Sequence, residues 1–208
     1  MKTMWGYLGG TVIQPRKTFA LLAADHRKIT VSFKAMILIG MLYVLTVAGL
    51  SIAGALPFAP QFLQLQPENY YFYEIFFAAP VFLLGWIMAS GVLYLLCRAA
   101  RGKGTFDGAF AALGFAITVA SFVTWLPETV MTAFLLLGTT QEELTAFSAQ
   151  PGFAQFFVLA YQIVAVLWMF VLASVAAAVT QKVRWWKAIL IGLATIAIFM
   201  AMMITFIR

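Results

Sequence analysis

AMILIGMLYVLTVAGLSIAGAL, residues 35–56, is a run of 22 residues without a single charge. About 20 apolar residues in helical form span the hydrocarbon of a bilayer, so this stretch alone is long enough to cross. It lacks the apolar–polar alternation of a barrel strand, and a helix satisfies its own backbone in lipid. Comparable runs recur at about 75–97, 108–126, 152–179 and 188–207. The chain of 208 residues is 64% hydrophobic and only 10% charged, where soluble domains carry about a quarter charged residues. The expected fold is all-α: a polytopic bundle of five transmembrane helices, residues 35–208, preceded by a cytoplasmic segment, residues 1–34, that holds an amphipathic helix.

The third run meets Pro127, which stops or kinks a helix. The next apolar piece, TVMTAFLLLG, residues 129–138, is too short to span alone. It either extends a kinked third helix or lies along the outer surface. The answer sets the depth of Glu128: at the outer interface in the second case, and inside the membrane as a polar site for a proton or cation in the first. Glu74 precedes the second run and reads as interfacial, which leaves the spanning cores free of charge. Pro80 and Pro127 are the two hinge candidates.

Bases cluster at the ends of alternate runs. Lys2, Arg16, Lys17, Arg27, Lys28 and Lys34 precede the first, Arg98, Arg101 and Lys103 join the second to the third, and Lys182, Arg184 and Lys187 join the fourth to the fifth. Arg208 is the one base on the other side. Positive residues are retained in the cytoplasm, so the N-terminus is expected inside and the C-terminus outside. A net charge of +6 is therefore explained by topology, with no nucleic acid required. The aromatic residues Tyr70, Tyr71, Tyr73, Trp125, Trp185 and Trp186 read as interfacial markers. Small-residue pairs such as Gly49 with Ala53, Gly85 with Ala89, Gly108 with Ala112, Ala173 with Ala177 and Ala188 with Gly192 fit close helix packing, within the bundle or in a homo-oligomer. No internal repeat is visible. The first 34 residues lack the apolar core and cleavage site of a signal peptide and are expected to be retained.

Pro15 suits the first turn of a helix in IQPRKTFALLAADHRKI. Phe19, Leu22, Ala23, His26 and Ile29 share one side, with Arg16, Lys17, Arg27 and Lys28 on the other. Such a helix either rests on an anionic leaflet or packs under the bundle. His26 has no second histidine or nearby cysteine to share a metal, and Cys97 reads as a small buried apolar residue. No HExxH, Gly-x-Ser-x-Gly or Walker pattern occurs, and RGKGTF, residues 101–106, reads as a turn. No enzymatic activity, metal or cofactor is expected.

Pro15 to Phe19 in QPRKTF, five crossings with the N-terminus inside, and GKGTFDGAFAALGFA opening the third crossing together resemble the Yip-domain family of small membrane proteins, in particular its bacterial members. The resemblance implies a five-span bundle of the bacterial cytoplasmic membrane that organises membrane or binds partner proteins, with no catalytic residues to carry over. The expected function is a non-enzymatic scaffold whose basic inner face (Arg16, Lys17, Arg27, Lys28, Arg98, Arg101, Lys103, Lys182, Arg184, Lys187) contacts anionic lipid or a partner protein. The alternative is a transporter or scramblase that moves lipid or a small hydrophobic solute along a groove between the helices kinked at Pro80 and Pro127.

Overall fold

The computed structural model describes residues 3–57, 62, 63 and 65–207. Lys2 and Arg208, which entered the charge count, lie outside them. Among the described residues eight α-helices follow in order: α1 (Met4–Ile13), α2 (Pro15–Ala24), α3 (Lys28–Ile52), α4 (Tyr70–Ala99), α5 (Phe106–Leu136), α6 (Gln141–Ala149), α7 (Phe153–Gln181) and α8 (Trp185–Phe206). There is no strand among the described residues. Five helices, α3, α4, α5, α7 and α8, are long and apolar enough to cross a membrane. Each starts earlier, ends later or both than its apolar run, because the polar ends of a spanning helix continue into the headgroup layer.

Packing runs in a ring, α3 on α4, α4 on α8, α8 on α7, α7 on α5 and α5 back on α3, and α5 also touches α4. The first half of α5 is the core. Ala109, Ala111, Ala112, Ala116 and Ala120 are fully buried there. In lipid, apolar side chains gain little by leaving the solvent, so close backbone approach and polar ties hold helices together. At Gly114 an added Cβ would strike Ser32 Oγ and lie 2.9 Å from Trp86 Cζ2, so α5 fits between α3 and α4 only as glycine. Ser32 Oγ donates to the Ala111 carbonyl at 2.9 Å, and Trp86 Nε1 donates to the Phe110 carbonyl at 2.9 Å. Gly192 meets Ser174 in the same way where α8 crosses α7. Large apolar residues such as Leu45, Leu167 and Leu193 face outward, as a lipid solvent requires.

The N-terminal segment holds two helices where one was expected. Phe19 and Leu22 of α2 are buried, as are Tyr7 and Leu8 of α1, and both helices touch α5. Of the two alternatives for the amphipathic helix, this is the packed one. α2 ends at Ala24, so His26 leaves the apolar face and its side chain is 77% exposed, contrary to the expectation. Asp25 stops the helix instead. Its carboxylate accepts the Arg27 backbone N–H and the Tyr7 hydroxyl, each at 2.8 Å.

Those two hydrogen bonds, the Arg27 amide first, hold the Asp25 carboxyl below its ordinary value of 3.8. Their contribution is complete above that value and is lost as pH falls through the lowered folded one. Burial, and then the bond to Asp25, push the Tyr7 phenol up to about 12. Its contribution is present below the ordinary value of 10.0 and is lost as pH rises through about 12. Tyr7→Phe is expected to remove about 2 kcal/mol of docking of α1, the usual worth of a hydrogen bond to a charged group. Faster amide exchange over residues 4–13, with α5 unchanged, is the measurement; equal exchange in both proteins refutes the assignment.

Candidate functional site

Two regions carry more polar chemistry than a lipid-embedded bundle requires. At one end of the bundle, α4 stops in a Schellman turn: the Gly102 N–H reaches the Cys97 carbonyl at 2.7 Å and the Arg101 N–H reaches that of Arg98 at 3.0 Å. Arg101 takes the left-handed conformation (φ 66°) usually reserved for glycine in such a turn. The chain then docks on the end of α7. The Lys103 N–H donates to the Gln181 carbonyl at 2.8 Å, and Gln181 Nε2 donates to the Thr105 carbonyl at 2.9 Å. Thr105 Oγ1 finally caps α5 by accepting the Gly108 N–H, with Asp107 in the first turn. RGKGTF is thus a turn, and also a joint between three helices.

The same joint gathers the basic segments. Lys187 Nζ reaches the Ala100 carbonyl at 3.4 Å and lies over the Trp186 ring. Arg16 of α2 stacks over Trp185 at 5.0 Å from the ring centroid. Lys17, Arg98, Arg101, Lys103, Lys182 and Arg184 are exposed around them. Lys28 instead turns back to the Ala23 carbonyl at 2.9 Å, and Arg27 lies 3.9 Å from Asp25. An open groove of about 500 Å³ runs between Gln14, Pro15, Arg16 and Lys17 of the α1–α2 segment, Val171 and Val175 of α7, and Trp185 of α8. Cys97, beneath the joint, is fully buried.

Toward the other end of the bundle α5 continues unbroken through Pro127 to Leu136, so residues 129–136 extend the third crossing. Glu128 lies eight residues before that end, about 12 Å of helix rise inside it. It lines a cavity of about 280 Å³ with Tyr43, Thr46, Tyr71, Ser148, Tyr161 and Gln162. Thr46 and Thr129 pair through their hydroxyls at 2.9 Å. Tyr43, Glu128 and Gln162 also face a second cavity of about 340 Å³ bounded by α8. Glu74, expected at the interface, is fully buried within α4, which begins at Tyr70. The expectation of charge-free spanning segments is thereby corrected.

Tyr70 and Tyr71 are buried rather than interfacial, and Trp125 lies mid-helix with Nε1 donating to the Leu42 carbonyl at 3.1 Å. Trp185 and Trp186 are exposed at the start of α8, as expected of interfacial rings. Both proline-bearing helices are continuous. α6 lies beside the cavity, and its sequence signal is Thr140-x-x-Glu143, a capping box present in the structure with both hydrogen bonds. No group of three metal-ligating side chains occurs among the described residues.

A family model described as the Yip1 domain matches residues 9–206, nearly the whole chain. No curated protein and no solved structure matches. Together with the five apolar helices, the match makes this an integral membrane protein.

Proposed function

Since the chain belongs to the Yip1-domain family, we propose that it is a non-enzymatic scaffold of a cytoplasmic membrane whose basic end faces the cytoplasm and holds anionic lipid headgroups. One observation carries the reading: Arg16 and Lys17 line a groove with Val171 and Val175 of α7 and Trp185 of α8, and Arg16 stacks over the Trp185 ring beside Arg184 and Lys187 in sequence. A phosphate there would meet cations while an acyl chain follows the apolar wall. The positive-inside rule supports the orientation, N-terminus in and C-terminus out. A partner protein with an acidic face would use the same surface.

Lys17 and Arg184 test it without disturbing the joint, because both are exposed and neither side chain makes a hydrogen bond or ion pair among the described residues. Each base near an anionic surface contributes about 1 kcal/mol, so Lys17→Gln combined with Arg184→Gln is expected to lower the preference for phosphatidylglycerol over phosphatidylcholine roughly 30-fold. Competition with spin-labelled lipids in nanodiscs reads this ratio. An unchanged ratio overturns the proposal.

The continuous cleft beside Pro127 favours a second reading, movement of a lipid or small hydrophobic solute, with Pro80 and Pro127 as hinges. Flux in reconstituted vesicles that is indifferent to Pro127→Ala and Glu128→Gln refutes it.

A further inference from the structure

The Glu128 cavity adjoins an apolar cleft of about 630 Å³ formed where α5, α6 and α7 meet, with Val130, Phe134, Phe147, Phe153 and Phe157 among its walls. Met131, Leu144, Ser148, Val158 and Tyr161 line both spaces, so the two are adjacent and only these side chains lie between them. Glu128 lines the first compartment with several hydroxyl and amide side chains; the second is walled mainly by apolar side chains, together with Thr139 and with Glu143, whose carboxylate accepts the Thr140 N–H of the α6 capping box. The pair has the shape of a site for an amphiphile, and its volumes are of the order of those that hold small molecules.

Charge decides which amphiphile. Glu128 lines the first compartment. No lysine, arginine or histidine lines either compartment among the described residues. A phosphate or carboxylate head would therefore face a carboxylate with no cation to balance it, at a cost that the low dielectric enlarges. A cationic head meets the opposite situation: Tyr43, Tyr71 and Tyr161 line the cavity together with Glu128. Aromatic rings with a carboxylate are a recognition chemistry for ammonium groups, with each ring contributing about 0.5–2 kcal/mol.

We infer that the Glu128 cavity and the adjoining cleft together bind a single-chain amphiphile with an amine or quaternary ammonium head and no phosphate, head at Glu128 and tail between α5, α6 and α7. The inference rests on neither the basic end nor transport, since it requires only binding at equilibrium. Gln162 and Ser148 supply hydrogen bonds for a hydroxyl near the head.

The test uses the full chain in maltoside micelles with dodecyltrimethylammonium as probe. Dodecyldimethylamine oxide, at a pH where it carries no net charge, matches the tail and tests the charge; tetramethylammonium tests the head without a tail. Native mass spectrometry is expected to show the wild type retaining the cation at least about tenfold over the amine oxide. Glu128→Gln should abolish that preference. Val158→Trp, which places bulk where the two compartments meet, should reduce retention of the tailed cation about tenfold while the thermal midpoint shows that the fold persists. Equal retention of cation and amine oxide by the wild type overturns the inference, as does a Glu128→Gln protein that keeps the preference. If Glu128→Gln does not fold, wild-type retention by Val158→Trp overturns it. Tetramethylammonium retained as strongly as the tailed probe would remove the cleft from the site and overturn it in the form stated.

Discussion

Gly104→Val is expected to unfold the joint between α4, α5 and α7 and lower the stability of the protein by about 3–5 kcal/mol. An added Cβ at Gly104 would overlap the Thr180 carbonyl oxygen and lie 2.7 Å from Gln181 Cδ. The first of these is backbone at the end of α7, which cannot rotate away as a side-chain tip can. Overpacking of this kind costs about 1–3 kcal/mol. Displacing the turn also breaks the Lys103–Gln181 and Gln181–Thr105 hydrogen bonds, which contribute about 1 kcal/mol each. Gly91→Ala is the control, since nothing lies within 4 Å of its added Cβ and alanine favours the helix. Unfolding midpoints in a mild detergent titrated with a denaturing one compare the two. A Gly104→Val midpoint equal to that of Gly91→Ala would mean that the turn does not dock on α7.

That joint also marks what the sequence makes legible. The run 35–56 and its four counterparts declare spanning helices, because in lipid a long uncharged run has few other ways to satisfy its backbone. GKGTFDGAFAALGFA stands out as a family resemblance for a physical reason: Gly104 and Gly114 are places where any side chain would collide. The open and mistaken readings have equally local causes. Pro127 left two readings open, a stop or a helix carried onward, and the second holds because in a bundle neighbouring groups and the cost of exposed polar backbone carry α5 through it. Tyr70, Tyr71 and Glu74 read as interfacial, yet Tyr70 and Tyr71 pack with Val47 and Ala55, a tertiary contact with no trace in the local pattern. α1 was missed because Gly6, Gly9 and Gly10 dilute its periodicity. The cavity was legible only as a lone Glu128, since Tyr43, Tyr71, Tyr161 and Gln162 come from three other helices.

Trp86→Ala is expected to cost about 3 kcal/mol, and the reason differs from that in a soluble core. In water most of the loss would be apolar surface returned to solvent; here the unfolded reference also sits in lipid or detergent, so that part largely cancels. What remains is the hole. Trp86 is fully buried, stacks on Phe110 with ring centroids 3.8 Å apart, and touches the surface that Gly114 leaves free. A residual cavity on the order of 100 Å³, at about 24 cal/mol per Å³, accounts for about 2.4 kcal/mol. The lost bond from Nε1 to the Phe110 carbonyl adds somewhat less than 1 kcal/mol, because that carbonyl also accepts from its own helix. Trp86→Phe separates the two contributions: it keeps most of the ring and removes only the donor, so a cost near 1 kcal/mol is expected. Thermal midpoints of the two variants in the same micelle provide the comparison. If Trp86→Phe costs as much as Trp86→Ala, the hydrogen bond rather than the packing at Gly114 holds α4 to α5, and the close approach of these helices would then be a consequence of the polar tie instead of its cause.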